Sequence, residues 1–157
     1  MSHKKRLLVN RYYNELRDGD GVKIPCAGKL EHTASQPQDM FLKKGMRLLG
    51  SGNSKKVLNG TEYVVKEVGE NRVELEGCNN IVLNFDEASR FLRLRYAVCY
   101  FTIQGRTLRD QHILLFDKGS PHFSIRHLIV GLSRVTAGHF AHIPTRKQEA
   151  DFLKHLC

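Results

Sequence analysis

No stretch of the chain approaches about 18 consecutive apolar residues, so none qualifies as a membrane-spanning helix. The start, Met1-Ser2-His3-Lys4-Lys5-Arg6, is basic, but only Leu7, Leu8 and Val9 follow as an apolar run, too few for a secretory signal. The four cysteines, Cys26, Cys78, Cys99 and Cys157, form no C-x-x-C pair, and their wide spacing fits neither a zinc site nor a disulfide framework. These absences lead us to expect reduced thiols in an intracellular protein, nuclear or cytoplasmic and not secreted. No internal repeat or low-complexity tract is present, and no Ser-His-Asp or Cys-His pattern has the context of a catalytic nucleophile. His139 and His142 lack an accompanying cysteine or carboxylate, so no metal is expected there.

Acidic residues are also scarce: 16 Asp and Glu face 25 Lys and Arg, a formal net charge of +9. The excess is focused. Residues 90–134 hold eight basic and two acidic residues, whereas 38–89 hold seven and eight. A charge kept only for solubility would be spread more evenly, so this concentration points to a site that handles phosphates. With 41% hydrophobic residues, the 157-residue chain has enough apolar content for a core, and its length suits one domain carrying a small insertion.

Leu8, Tyr12 and Leu16 recur at helical spacing within 4–17, which predicts an amphipathic helix with these residues inward, stopped by Asp18-Gly19-Asp20-Gly21. Residues 22–40 read as a long, partly extended connection. From Met46 the period becomes two, with short strands predicted over 46–49, 62–68, 72–76 and 80–83, separated by polar turns. Short strands at this spacing suggest a small antiparallel barrel. Beyond residue 90, strands are expected over 95–100, 111–116 and 138–143. Helices are expected over 123–134, with Ile125, Leu128, Ile129 and Leu132 on one face, and over 145–156, with Phe152 and Leu153 inward. The expected fold class is α/β, a domain formed by 1–37 and 90–157 and interrupted by a barrel over 38–89.

Three segments then matter together: Ser2-His3-Lys4-Lys5-Arg6 with Asn10, Tyr96 through Leu108 containing Gln104-Gly105-Arg106-Thr107, and Leu128 through Val135 containing Leu132-Ser133-Arg134-Val135. In this order, with a barrel between the first two, they resemble motifs IV, V and VI in the C-terminal motor domain of superfamily-1 DNA helicases, in the Pif- and RecD-like branch. Phe41 through Arg47 with Asn59-Gly60-Thr61 looks like the start of the SH3-like barrel those enzymes insert. The resemblance implies a RecA-like lobe, incomplete here, working on single-stranded DNA, or RNA, with an N-terminal RecA-like motor domain or subunit absent from this sequence. No membrane partner is implied.

Residue by residue, the resemblance makes Arg134 the catalytic arginine that reaches the γ-phosphate of ATP held by the other motor domain. A planar, permanently charged guanidinium suits charge spread over phosphoryl oxygens. Gln104, Gly105 and Thr107 match the segment between nucleotide and strand. Ser2, Phe101, Thr102, Arg106, Thr107 and Arg95 fall on the nucleic-acid side, within a basic track that also takes in Arg90, Arg93 and Arg109. Asn10 matches a position near the strand and reads as a brace for a turn. Where the family has His-Lys, this chain has Phe101-Thr102, so Phe101 either stacks on a base or packs inward.

A G-x-x-x-x-G-K-[ST] loop and an acidic pair following an apolar strand are missing. Gly50 through Lys56 reads instead as a hairpin loop, and Asp86-Glu87 as a helix start. The chain alone is therefore expected not to hydrolyse ATP, and ATP with Mg²⁺ belongs only to a complete enzyme. The sequence leaves two functions open: the C-terminal part of an ATP-dependent helicase or translocase, present as a fragment or split product, or a non-catalytic nucleic-acid or protein-binding adaptor derived from one.

Overall fold

The structure, a computed structural model, describes residues 3–30, 35–52, 54–77, 80–109, 111–116, 119–121 and 123–156. The chain divides into two compact units, residues 7–97 and residues 1–6 with 98–157. The antiparallel segment expected over 38–89 lies within the first of these.

In the 7–97 unit, a curled antiparallel sheet is built from β3 (Arg47–Gly50), β4 (Glu62–Val68), β5 (Arg72–Leu75), β6 (Ile81–Asn84) and β7 (Leu92–Leu94), in the order β6-β5-β4-β3-β7. A register shift between Val65 and Glu67 marks a bulge in β4, and bulges bend the strand that carries them. The two-residue period does the predicted work: Leu48, Tyr63, Val65, Val73, Leu75, Leu83, Leu92 and Leu94 point into one core with Ile24, Met40 and Leu42. The connection over 22–40 is extended at both ends, where β1 (Val22–Ile24) pairs antiparallel with β2 (Met40–Leu42). Of the Gly50–Lys56 segment, Gly50 ends β3, and the described residues 51–52 and 54–56 follow it before antiparallel β4, with Ser54 Oγ accepting the Lys56 and Val57 N–H groups. Lys56 Nζ bonds Glu87 at 3.0 Å. Asp86 and Glu87 open α2 (Phe85–Phe91), whose capping box is formed by Asn84 and Glu87.

Helix α1 (His3–Asp18) forms, but with a different inward face from the one its apolar spacing predicts. Leu16 is 66% exposed, and Leu8 and Tyr12 are half-buried; Val9, Asn10, Asn14 and Asp18 are the buried residues beyond Arg6. The asparagines satisfy backbone groups that no strand partner takes. Asn10 Nδ2 donates to the Ala97 carbonyl at 3.1 Å, and Asn10 Oδ1 accepts the Ala97 N–H at 2.8 Å. Asn14 makes the same pair of bonds to Phe41, at 2.8 and 2.7 Å. Asp18 accepts from the Tyr96 hydroxyl and from Asn14, and pairs with Lys43 at 3.5 Å. Burial, then this carboxylate, pushes the Tyr96 phenol well above its usual range. The strand expected over 95–100 is absent for the same reason: β7 ends at Leu94, and the backbone at Ala97 is bonded to a side chain.

The other unit pairs β8 (Ile113–Leu114) with β9 (Ala141–His142) in parallel, with α3 (Ile125–Leu132) between them in sequence and α4 (Arg146–Lys154) after. A parallel pair joined through a helix is the α/β signature. The strands are shorter than the 111–116 and 138–143 expectation; residues 138–140 form a 3₁₀ turn instead. Helix α4 starts as predicted, on a capping box of Thr145 and Gln148, with Phe152 and Leu153 half-buried. Of the residues expected on one face of α3, Ile125, Ile129 and Leu132 are exposed and Leu128 is half-buried. The buried residue of α3 is Gly131, set against Leu115 and Tyr100. Among the described residues, no helix is long and apolar enough to cross a membrane.

Candidate functional site

The site is built on one turn and one helix end, both in the unit formed by 1–6 and 98–157. A 3₁₀ turn over Tyr100–Ile103 begins where Thr102 N–H meets the Cys99 carbonyl at 2.9 Å. Tyr100 anchors it: its hydroxyl donates to the Phe116 carbonyl at 2.9 Å, and its ring meets Phe123 and His127 edge-on. The chain then reverses at Gly105, whose φ of +79° lies in the left-handed region open to glycine. Arg106 N–H closes the reversal on the Ile103 carbonyl at 3.1 Å. Gln104, Gly105 and Thr107 are left exposed, with Arg106 half-buried.

Beyond the turn, Leu108 bridges in parallel to Val135, and Leu108 N–H donates to the Arg134 carbonyl at 2.7 Å. Arg134 follows Ser133, the C-terminal cap of α3. Its guanidinium is fixed on three sides. Nη1 donates to the Arg106 carbonyl at 3.1 Å, while Nε and Nη2 reach Ser133 Oγ at 3.3 and 2.9 Å. Ser133 Oγ in turn donates to the Val130 carbonyl at 3.3 Å. Of the five guanidinium N–H groups, one on each terminal nitrogen stays available for an anion. Two segments separated by 28 residues are thus set side by side, with a rigidly held cation next to an exposed Gln-Gly-Arg-Thr turn.

The other expected residues divide. Ser2 lies outside the described residues, as does the side chain of Phe101; Thr102 is half-buried within the turn. Arg95 belongs to the 7–97 unit, where it pairs with Glu62 at 2.8 Å; Arg47 holds the same carboxylate at 3.1 Å. Arg90 pairs with Asp86 at 2.9 Å. Arg93 does not face phosphates. It is 2% exposed, and its guanidinium donates to the carbonyls of Ser35, Ser89, Arg90 and Leu92. A buried cation needs such acceptors, and the backbone where α2 passes into β7 supplies them. Asn10 is a brace, as its Ala97 bonds show.

Sequence reasoning missed the Asn14–Asp18–Tyr96 network, although the Asn10, Asn14, Asp18 spacing of four was a readable signal. It also missed the approach of His3 to Cys99, which lie 96 residues apart. Among the described residues, no group of three or more His, Cys, Asp or Glu converges as metal ligands would.

No protein-family model matches the chain, and no curated protein does. Solved structures do. A structure of Pif1 helicases coordinating DNA unwinding at forked double-stranded DNA superposes with a TM-score of 0.53 at 20% identity, over 81% of this chain and 35% of that one. A Bacteroides Pif1 bound to single-stranded DNA gives 0.52 at 17% identity, over 85% of this chain and 37% of that one. The chain therefore spans little more than a third of the length of these helicases. Across most of its length it has a helicase-like mixed α/β fold, similar to that of Pif1.

Proposed function

We propose that the chain is the C-terminal portion of an ATP-dependent DNA helicase or translocase: a RecA-like lobe over 1–37 and 90–157, interrupted by an SH3-like barrel over 38–89. The carrying observation is the pairing of the Gln104–Thr107 turn with Arg134, through the Leu108–Val135 bridge and the bond from Arg134 Nη1 to the Arg106 carbonyl. A residue that senses phosphoryl charge and a loop that contacts a strand must move together if nucleotide closure is to shift a grip on DNA. Here they share one hydrogen-bonded frame. Arg134 supplies charge stabilisation to the γ-phosphoryl group of ATP bound, with Mg²⁺, by a first motor domain. Gln104, Gly105 and Thr107 lie between that nucleotide and the strand. Thr107 and Arg106, with Ser2, Phe101 and Thr102, contribute to the single-stranded DNA or RNA surface; Arg95, in the 7–97 unit, is a separate candidate contact to the strand.

The test mixes the full chain with a first motor domain of a Pif-like helicase, ATP and single-stranded DNA, and repeats with Arg134→Ala. ATPase that appears with the partner and is lost in R134A, with strand binding retained, supports the reading. Strand binding without ATPase in any mixture supports the adaptor instead. Strand affinity should fall about tenfold or more between 50 and 200 mM salt, from release of counterions at several phosphates; affinity independent of salt refutes a phosphate-facing surface.

A further inference from the structure

We propose that Cys99, with His3 and Arg6, forms a reactive-thiol site that hydroperoxides oxidise to a sulfenic acid. The three residues come from the two ends of one compact unit and play no part in the arrangement around Arg134. His3 Nδ1 stands 3.6 Å from Cys99 Sγ, within reach of an S–H···N hydrogen bond. Arg6, close to one turn further along α1, is 3% exposed. Burial lowers the proton affinity of its guanidinium, and the Cys99 sulfur offsets part of that effect. An arginine keeps its charge even so, and its electrostatic coupling to the sulfur opposes the rise in thiol pKa that burial brings. Burial, then Arg6, holds the His3 imidazole below its ordinary range. That favours the neutral ring, and in the tautomer protonated on Nε2 its Nδ1 lone pair can take the thiol proton.

Access selects the oxidant. Cys99 is 4% exposed while His3 is exposed, so the sulfur is shielded from bulky disulfides and admits only a small molecule. In the step proposed, the Cys99 proton passes to His3 Nδ1, and the thiolate attacks one oxygen of hydrogen peroxide. The S–O bond forms as the O–O bond breaks. Hydroxide leaves and recovers the proton from the imidazolium as water. Sulfur is oxidised by two electrons and the peroxide is reduced by two. Cys26 is the internal comparison: its thiol points at the Gly28 carbonyl, 3.7 Å away.

The experiment uses the full chain carrying Cys26→Ser, Cys78→Ser and Cys157→Ser, which leaves Cys99 as the sole thiol. The folded chain is treated with hydrogen peroxide between pH 6 and 9, residual peroxide is removed with catalase, and the sulfenic acid is then trapped with dimedone in denaturant and counted by mass spectrometry. At pH 7 we expect oxidation about tenfold faster than in a companion chain that keeps only Cys26. His3→Gln in the Cys99-only chain should slow it by about tenfold and move the rise of rate to higher pH. His3 is exposed, so this variant keeps the fold, as thermal unfolding will show. Equal rates in the Cys99-only and Cys26-only chains, an H3Q rate that matches its parent, or oxidation only when peroxide is added to the denatured chain overturns the proposal.

Discussion

Removing the Asn10 carboxamide tests the idea that polar bonds, not apolar packing, seat α1. Asn10 is fully buried and gives one donor and one acceptor to Ala97, itself 6% exposed. In Asn10→Ala, the Ala97 N–H and C=O both lose their partner with little water to replace it. An orphaned buried polar group costs about 1–3 kcal/mol, so the expected loss is about 2–5 kcal/mol. That is a large fraction of the about 5–15 kcal/mol of a typical domain. Asn10→Leu separates the two explanations, because it restores volume and adds apolar surface but makes neither bond. The assay is urea unfolding followed by far-UV circular dichroism, with stability read from the midpoint at constant slope. Both variants should lose comparable stability. A loss below about 0.5 kcal/mol in N10A, or recovery of most of it in N10L, refutes the argument.

Other perturbations check separate parts of the structure. Gly50→Ala places a methyl 2.2 Å from the Leu58 carbonyl oxygen, a backbone atom that cannot move aside cheaply; we expect a loss of about 2 kcal/mol or more by urea unfolding, and a neutral result would refute the close approach of Leu58 to Gly50. The Glu87 carboxylate is held below its ordinary value first by the Asn84 N–H and then by Lys56. Its contribution is therefore present above about 4.5, the ordinary glutamate value, and is lost as pH falls below that. Glu87→Gln should lower stability by less than about 1 kcal/mol at pH 7 and by progressively less as pH falls below about 4.5; a deficit that stays constant with pH in thermal melts would contradict this assignment.

Periodicity and turn chemistry made the antiparallel half legible. Alternation in β4 and β5 depends on which side chains face a common core, and a period of two states that directly, whereas β3 is buried at Leu48, Leu49 and Gly50 in succession. The capping boxes of α2 and α4 are written within four residues of sequence, so they too could be read locally. The faces of α1 and α3 could not. Leu8, Tyr12 and Leu16 obey helical spacing as well as Val9, Asn10, Asn14 and Asp18 do, and only the backbone groups waiting at Phe41 and Ala97 decide which stripe turns inward. The motifs around Arg134 were readable as short strings in order.

What the sequence determined by itself was a basic α/β chain with a period-two segment, a glycine two positions before Thr107 and a serine–arginine pair at a helix end. These depend on residue chemistry and neighbours within a few positions. What the tertiary structure decided was who meets whom: Arg134 on the Arg106 carbonyl, Arg93 swallowed by four carbonyls while Arg95 pairs with Glu62, and His3 against Cys99. Three of these meetings join residues tens of positions apart, and those of Arg134 and Arg93 end on backbone carbonyls. Every residue carries the same backbone groups, so the sequence cannot mark which of them a side chain will take.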